Sequence, residues 1–260
     1  MRNDLARLLL TRETKLEDGR RTVIALGLFD GVHRAHASLI KHAKAAADES
    51  GGLMLVYTMS RHPMEVIRPE KAPRALQPVA GRVKQLFIAG ASAVLVRSFN
   101  PMFASLHADA FVRLLAQRYH PTDIFVGYNY TFGASGAGTP ALLDKLGGKY
   151  GYRLHVLQPE TSGGAVISST YIRNALEAGD VELANHMLGR PYELYCEAAG
   201  GGELRVADRL VIPRAGQYAV SLDEIESEMS ISADGVVKFG VDLSGLSGRI
   251  RFEIRNTLSV

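Results

Sequence analysis

Strand-length apolar runs alternate with helix-length segments through roughly the first 160 residues, and this order restricts the possible folds more than any other feature of the chain. Residues 23–26 (VIAL), 53–57 (LMLVY), 93–96 (AVLV), 124–126 (IFV) and 154–157 (LHVL) have the length and the Val, Ile and Leu content of fully buried strands. Between them, residues 37–50, 81–89, 108–119 and 140–150 carry helical periodicity, several of them ending near Gly or Pro. Parallel neighbours need long crossovers that are right-handed almost without exception, so the alternation predicts an α/β domain with an open parallel sheet and helices on both faces. Ligands of such sheets sit beyond the carboxyl ends of the strands, which makes the turn after each strand the place to seek function.

After Arg190-Pro191 the texture changes. Residues 198–203 (AAGGGE) read as a flexible connector, and short runs at 210–212, 218–220, 236–239 and 250–254, separated by Gly, Asp and Ser, predict a small β domain. The expected division is residues 1–194 and residues 195–260. Charge follows the same division, with 23 basic and 17 acidic side chains before residue 195 and 7 basic and 10 acidic ones after it. A net charge of +3 without a Lys/Arg tract suits a small phosphorylated ligand and argues against nucleic acid, which needs a dense basic face. One cysteine, Cys196, excludes an internal disulfide and any Cys-based zinc cage. The first eleven residues (MRNDLARLLLT) carry three charges and too short an apolar run for a signal-peptide core, and no apolar stretch is long enough to span a membrane. The expectation is a cytoplasmic protein without membrane attachment.

The first strand leads into residues 27–36 (GLFDGVHRAH), where His33 and His36 flank a strand-to-helix turn. Free backbone N–H groups and the helix dipole favour an anion there, and Gly27 and Gly31 permit close backbone approach. A protonated histidine would add charge-assisted bonds of about 1.5–3 kcal/mol each to a phosphate. The competing reading is a turn with two surface histidines; a metal pair lacks an evident third ligand, so no metal site is expected. Residues 168–173 (SSTYIR) open a second helix. One of Ser168, Ser169 and Thr170 is accounted for as its N-cap, and Arg173, a turn further in, has the planar fork that suits phosphate oxygens. His62-Pro63 follows the second strand and residues 127–133 (GYNYTFG) follow the fourth, where aromatic side chains beside Asn129 suit a planar ring or the edge of a core. Asp30 and Asp180 are the carboxylates beside turn glycines, and Asp180 has the simpler reading of an N-cap. No P-loop and no nucleophile elbow occurs.

Taken in order, G-x-F-D-G-V-H-R-x-H (27–36), His62-Pro63, G-x-N-x-T-F-G (127–133), I-S-S-T-x-I-R (167–173) and G-D-V-x-x-A-x-x-x-L-G-R-P-Y (179–192) resemble the adenylyltransferase module of the bacterial bifunctional riboflavin kinase/FAD synthetase family. The resemblance implies a Rossmann-like nucleotidyltransferase fold that transfers AMP from ATP to FMN with Mg²⁺, giving FAD and pyrophosphate. It implies catalytic roles for His33, His36 and Arg173, and ATP binding by Gly27, Phe29, Gly31, Ser168, Ser169 and Thr170. It further implies flavin binding by His62, Pro63, Asn129 and Thr131.

Two departures from the family pattern carry weight. Ala35 stands where the family's H-x-G-H has glycine, and a methyl at a point of close approach would cost about 1–3 kcal/mol in strain or displaced ligand. The tail has P-x-x-G-x-Y-A-V (213–220) like a strand pair of the family's kinase barrel, yet lacks the G-x-P-T-A-N segment, so riboflavin kinase activity is not expected. Two other readings stay open: a flavin- or nucleotide-binding protein with impaired catalysis, and a nucleotidyltransferase with another phosphorylated acceptor.

Overall fold

The computed structural model describes residues 8–10, 20–200, 203–222, 225–239 and 249–258. In chain order they form β1 (Leu8–Leu10), β2 (Thr22–Leu26), α1 (Arg34–Ser50), β3 (Leu53–Met59), α2 (Met64–Ile67), α3 (Val79–Ile88), β4 (Ala93–Arg97), α4 (Pro101–Ala104), α5 (Ala108–Tyr119), β5 (Pro121–Gly127), α6 (Pro140–Tyr150) and β6 (Arg153–Leu157). There follow β7 (Thr161–Ser162), β8 (Ala165–Val166), α7 (Ser169–Ala178), α8 (Val181–Leu188), β9 (Tyr192–Gly200), β10 (Glu203–Val206), β11 (Gly216–Leu222), β12 (Ile225–Ile231), β13 (Val236–Phe239) and β14 (Arg249–Leu258). The residues sort by packing into two compact units. The first is Met1–Phe29, Ala35–Pro73 and Val79–Pro159; the second is Asp30–Arg34, Arg74–Pro78 and Glu160–Val260.

The first unit holds a parallel sheet in the order β1-β4-β3-β2-β5-β6. Its five expected strands are present, and a sixth, β1, pairs in parallel with β4 at Leu8↔Ala93. Both faces of the central strands are dry, as the near-continuous apolar runs require. Ile24, Leu26, Leu55 and Tyr57 pack in one core with Phe111, Val112 and Leu115 of α5 and with Leu143 and Leu146 of α6. Val23, Ala25, Met54 and Val56, which alternate with them along the strands, are equally buried, and α1 buries Leu39, Ile40, Ala43 and Ala47. The α6 limits follow from local chemistry. The Thr139 hydroxyl accepts from the Leu142 N–H, Pro140 takes the first helical position, and Gly151 closes the helix in the left-handed conformation.

The second unit holds a closed six-stranded barrel, β10-β13-β12-β11-β14-β9, paired antiparallel throughout. Tyr192, Leu194 and Cys196, alternating along β9, meet Leu204, Val220, Met229, Val237 and Ile254 in a core that also takes in Ile172, Leu176, Met187 and Leu188 of α7 and α8. Asn185 joins helix to barrel: its Nδ2 donates to the carbonyls of Ile254 and Arg255, and its Oδ1 accepts from the Tyr192 N–H at 2.7 Å. Two expectations for this region are corrected. Residues 198–200 end β9 and residue 203 begins β10, so the supposed connector is largely a hairpin whose tip, residues 201–202, lies outside the described residues. Residues 210–212 do not form a strand, because Leu210 makes only an isolated bridge to Ala75. Among the described residues no helix is long and apolar enough to cross a membrane.

Gly133 is one position where glycine is required. Its φ is +74°, and a β-carbon there would lie 2.8 Å from the backbone of Ala108. Gly133→Ala is expected to cost about 2–4 kcal/mol through left-handed strain and overpacking, read as a drop in the thermal midpoint.

Candidate active site

The turn between β2 and α1 is built against ordinary backbone preference. Phe29 has φ +56°, Gly31 +82° and Val32 +40°, and a β-branched residue in that region is a genuine outlier costing on the order of 1–3 kcal/mol. Gly31 has a packing reason as well, since a β-carbon there would sit 2.6 Å from the Leu76 side chain. Such strain persists only where the surroundings over-determine it, and for residues 30–34 other residues of their own unit supply that. The Asp30 carboxylate, 3% exposed, accepts from the Leu76 N–H at 3.1 and 3.2 Å and from Arg173 Nη2 at 2.5 Å. Ser169 Oγ donates to the Asp30 carbonyl at 2.8 Å, and Arg173 Nε donates to the Arg74 carbonyl at 2.7 Å. Arg190 donates to the carbonyls of Gly31 at 2.6 Å and Val32 at 3.1 Å.

Two separate sequence motifs, residues 27–36 and 167–173, are thereby joined through Asp30, Ser169 and Arg173. The Ser168 hydroxyl is the N-cap of α7, accepting from the Tyr171 N–H, and Thr170 is exposed in the first turn. Arg173 is buried and half committed: Nε and Nη2 serve the protein, and Nη1 has no partner among the described residues. Neither Asp30 nor Arg190 was assigned a site role from the sequence. Their signal was a charged residue inside an otherwise apolar, glycine-bearing turn, but apart from Leu188 their partners lie 46 to 159 positions away.

His33 departs from both sequence readings. It is 4% exposed, so it is not a surface histidine, and burial followed by the nearby Arg190 charge holds its pKa down at about 4. At neutral pH it is an uncharged imidazole and not the protonated one of the sequence reading. For Ala35 the strain part of the expectation is not met. It lies within α1, is half-buried and has no positive φ, so its methyl causes no backbone strain.

Within the first unit, β3, β2 and β5 are adjacent and parallel, so the residues after their carboxyl ends share one edge of the sheet. The chain steps from β2 outward to β3 and β4 and then returns to β5 on the other side of β2, which makes that edge a topological switch point. Gly27, Phe29, His62, Pro63, Asn129 and Thr131 all follow these three strands. Phe29 is buried and meets the His36 ring edge-on, with centroids 5.2 Å apart, and its own ring fills the space a side chain at Gly27 would need. His62 Nδ1 accepts from the Met64 N–H at 3.1 Å, which leaves the ring proton on Nε2. Asn129 and Thr131 are exposed, and the neighbouring Tyr130 stacks on Phe132.

The FAD synthetase family model matches residues 15–171. A bifunctional riboflavin kinase/FMN adenylyltransferase of Bacillus subtilis is 38% identical over 220 residues, covering 80% of this chain and 69% of the relative. The protein of the same description from Escherichia coli K12 is 32% identical over 211 residues, covering 77% and 67%. A solved structure titled a macrolide-efflux protein from Streptococcus pneumoniae is similar in fold, with a TM-score of 0.81 at 23% identity over 96% of this chain and 99% of that one.

Two outcomes follow from the buried charges. Asp30→Asn strands the Arg173 cation and is expected to cost about 3–5 kcal/mol, with Arg173→Met recovering part of the loss in a double-mutant cycle read by urea denaturation. The His33 pKa is lowered on folding, so the unfolded chain binds the extra proton. Stability is therefore complete above pH 6.5 and falls as pH drops towards 4, by about 3 kcal/mol in all, and His33→Gln flattens that part of the stability–pH curve.

Proposed function

The chain belongs to the FAD synthetase family, and from that premise we propose that it is an FMN adenylyltransferase which transfers AMP from ATP to FMN by direct in-line displacement. A phosphate oxygen of FMN attacks the α-phosphorus of ATP, the bond from that phosphorus to the oxygen bridging to the β-phosphate breaks, and pyrophosphate leaves. No covalent enzyme intermediate is needed, so the protein contributes orientation and charge stabilisation. The observation that carries the reading is the joining of the strained turn to the start of α7 through Asp30, Ser169 and Arg173.

In this reading the Nη1 group of Arg173, the hydroxyls of Ser168 and Thr170 and the backbone N–H of Ser169 hold phosphate oxygens, while the Ser169 hydroxyl stays on the Asp30 carbonyl and Asp30 keeps the guanidinium oriented. His33 acts as a neutral hydrogen-bond donor. His36, braced by Phe29, stabilises charge on the leaving group, and Gly27 and Gly31 complete the ATP contacts. His62, Pro63, Asn129 and Thr131 take the flavin and its phosphate. Mg²⁺ enters as part of the ATP complex: no cluster of three or more metal-ligating side chains occurs among the described residues, and the Asp30 carboxylate is already engaged. Such an ion is ordinarily held through substrate phosphates with few protein ligands. The unstrained helical backbone at Ala35 supports turnover over impaired catalysis.

The chemistry belongs to residues 1–194 and not to residues 195–260, whose barrel lacks the kinase nucleotide segment, so riboflavin is not phosphorylated. Cytoplasmic residence is part of the same proposal. The Cys196 thiol is buried, with its pKa pushed up to about 12, and is inert there.

The test is to incubate the protein with ATP, Mg²⁺ and either FMN or riboflavin and to follow FAD and pyrophosphate together. FAD and pyrophosphate in equal amounts from FMN, with neither FMN nor FAD formed from riboflavin, is the expected result. Absence of FAD from FMN overturns the transferase reading, and FMN formed from riboflavin overturns the division of labour.

A further inference from the structure

Arg190 takes no part in the transfer as proposed, yet it is the side chain that holds the most strained part of the turn. Its two terminal nitrogens divide the work. Nη2 donates to the Gly31 carbonyl and at 3.3 Å to Gln77 Oε1, and Nη1 donates to the carbonyls of Val32 and, at 3.3 Å, of Leu188. The two turn residues it grips are those at φ +82° and +40°. Burial lowers its pKa, so the cation is kept charged at a desolvation cost. The network is also incomplete: Arg190 Nε and Gln77 Nε2 are buried without hydrogen-bond partners among the described residues. A half-satisfied buried network is a poor way to stabilise a fold, and where it persists the reason is commonly functional.

We infer that Arg190 is a positioning residue of the adenylyl transfer: its guanidinium grips the carbonyls of Gly31 and Val32, touches no substrate, and holds the turn in the conformation that the nucleotide meets. The inference rests on the transferase reading. A planar fork is essential to it, because two carbonyls of consecutive residues are held by two nitrogens in fixed relation. Lysine keeps the charge but presents a single nitrogen.

The experiment uses the full chain with Arg190→Lys and Arg190→Ala, measuring kcat and KM for both substrates, ATP affinity in the absence of FMN, and amide hydrogen exchange across residues 31–33. Expected are a fall of about 100-fold in kcat/KM for ATP in both variants, the scale of a small misplacement at the reacting centre, with KM for FMN little changed. Faster exchange at the amides of Val32 and His33 accompanies it, at unchanged far-UV circular dichroism. In Arg190→Ala, added guanidinium at about 50 mM restores at least roughly tenfold, and ammonium does not. Turnover close to that of the unmodified protein overturns the inference, as does lost turnover with unchanged exchange across the turn, which would mean that Arg190 acts on substrate. If Arg190→Ala does not fold, Arg190→Lys decides by the same exchange measurement. If the unmodified protein forms no FAD, the transferase reading falls separately, and exchange with ATP affinity still decides whether Arg190 sets the turn.

Discussion

Everything at the candidate site depends on one buried carboxylate. Asp30 gathers a backbone N–H from residue 76, a guanidinium from residue 173 and, at its own carbonyl, a hydroxyl from residue 169. The first two compensate a charge that would otherwise be very costly to bury, and the three partners come from two distant segments, residue 76 and α7. Holding Asp30 fixes where the following residues begin, and Arg190 fixes how they continue. Phe29 and Val32 can then occupy left-handed conformations that they would rarely hold in a free peptide, while Gly31 takes its positive φ at little cost.

This construction suits a reaction in which the protein forms no bond to the substrate. Positioning by a rigid scaffold lowers a barrier by prior ordering, and that ordering has to be installed during folding. A neutral His33 fits the same logic, because an imidazole desolvated by its surroundings hydrogen-bonds more strongly than one facing water and does not need to be charged. Arg173 combines both tasks: its buried side holds Asp30, and the nitrogen that remains is oriented by that commitment.

The sheet was legible because its signals are local. The segments 108–119 and 140–150 match α5 and α6 to the residue, the latter because Thr139, Pro140 and Gly151 mark its ends. β1 was not legible, since three leucines show no alternation and their partner strand begins 85 positions later. In the barrel, β12 was missed because its sequence, IESEMSI, is mostly polar, with Met229 and Ile231 the side chains of that strand seen in the core. The candidate site residues were named by motif, but their surroundings depend on geometry. Nothing near His33 in the sequence announces that it is buried beside Arg190, and nothing near Ala35 announces that the backbone there is helical.

The distance along the chain between the turn and its clamp also has a temporal meaning. Arg190 follows Gly31 by 159 positions, which a ribosome working at about 5–20 residues per second covers in roughly 10–30 s. The strands and helices of the first sheet are completed within that interval, whereas Val32 has no clamp to hold it at a positive φ until its end. The turn after β2 is therefore clamped only once the first sheet has been made, just before the barrel strands follow. A truncated product ending before residue 190 would carry every histidine of the motif and still lack the shape that makes them useful.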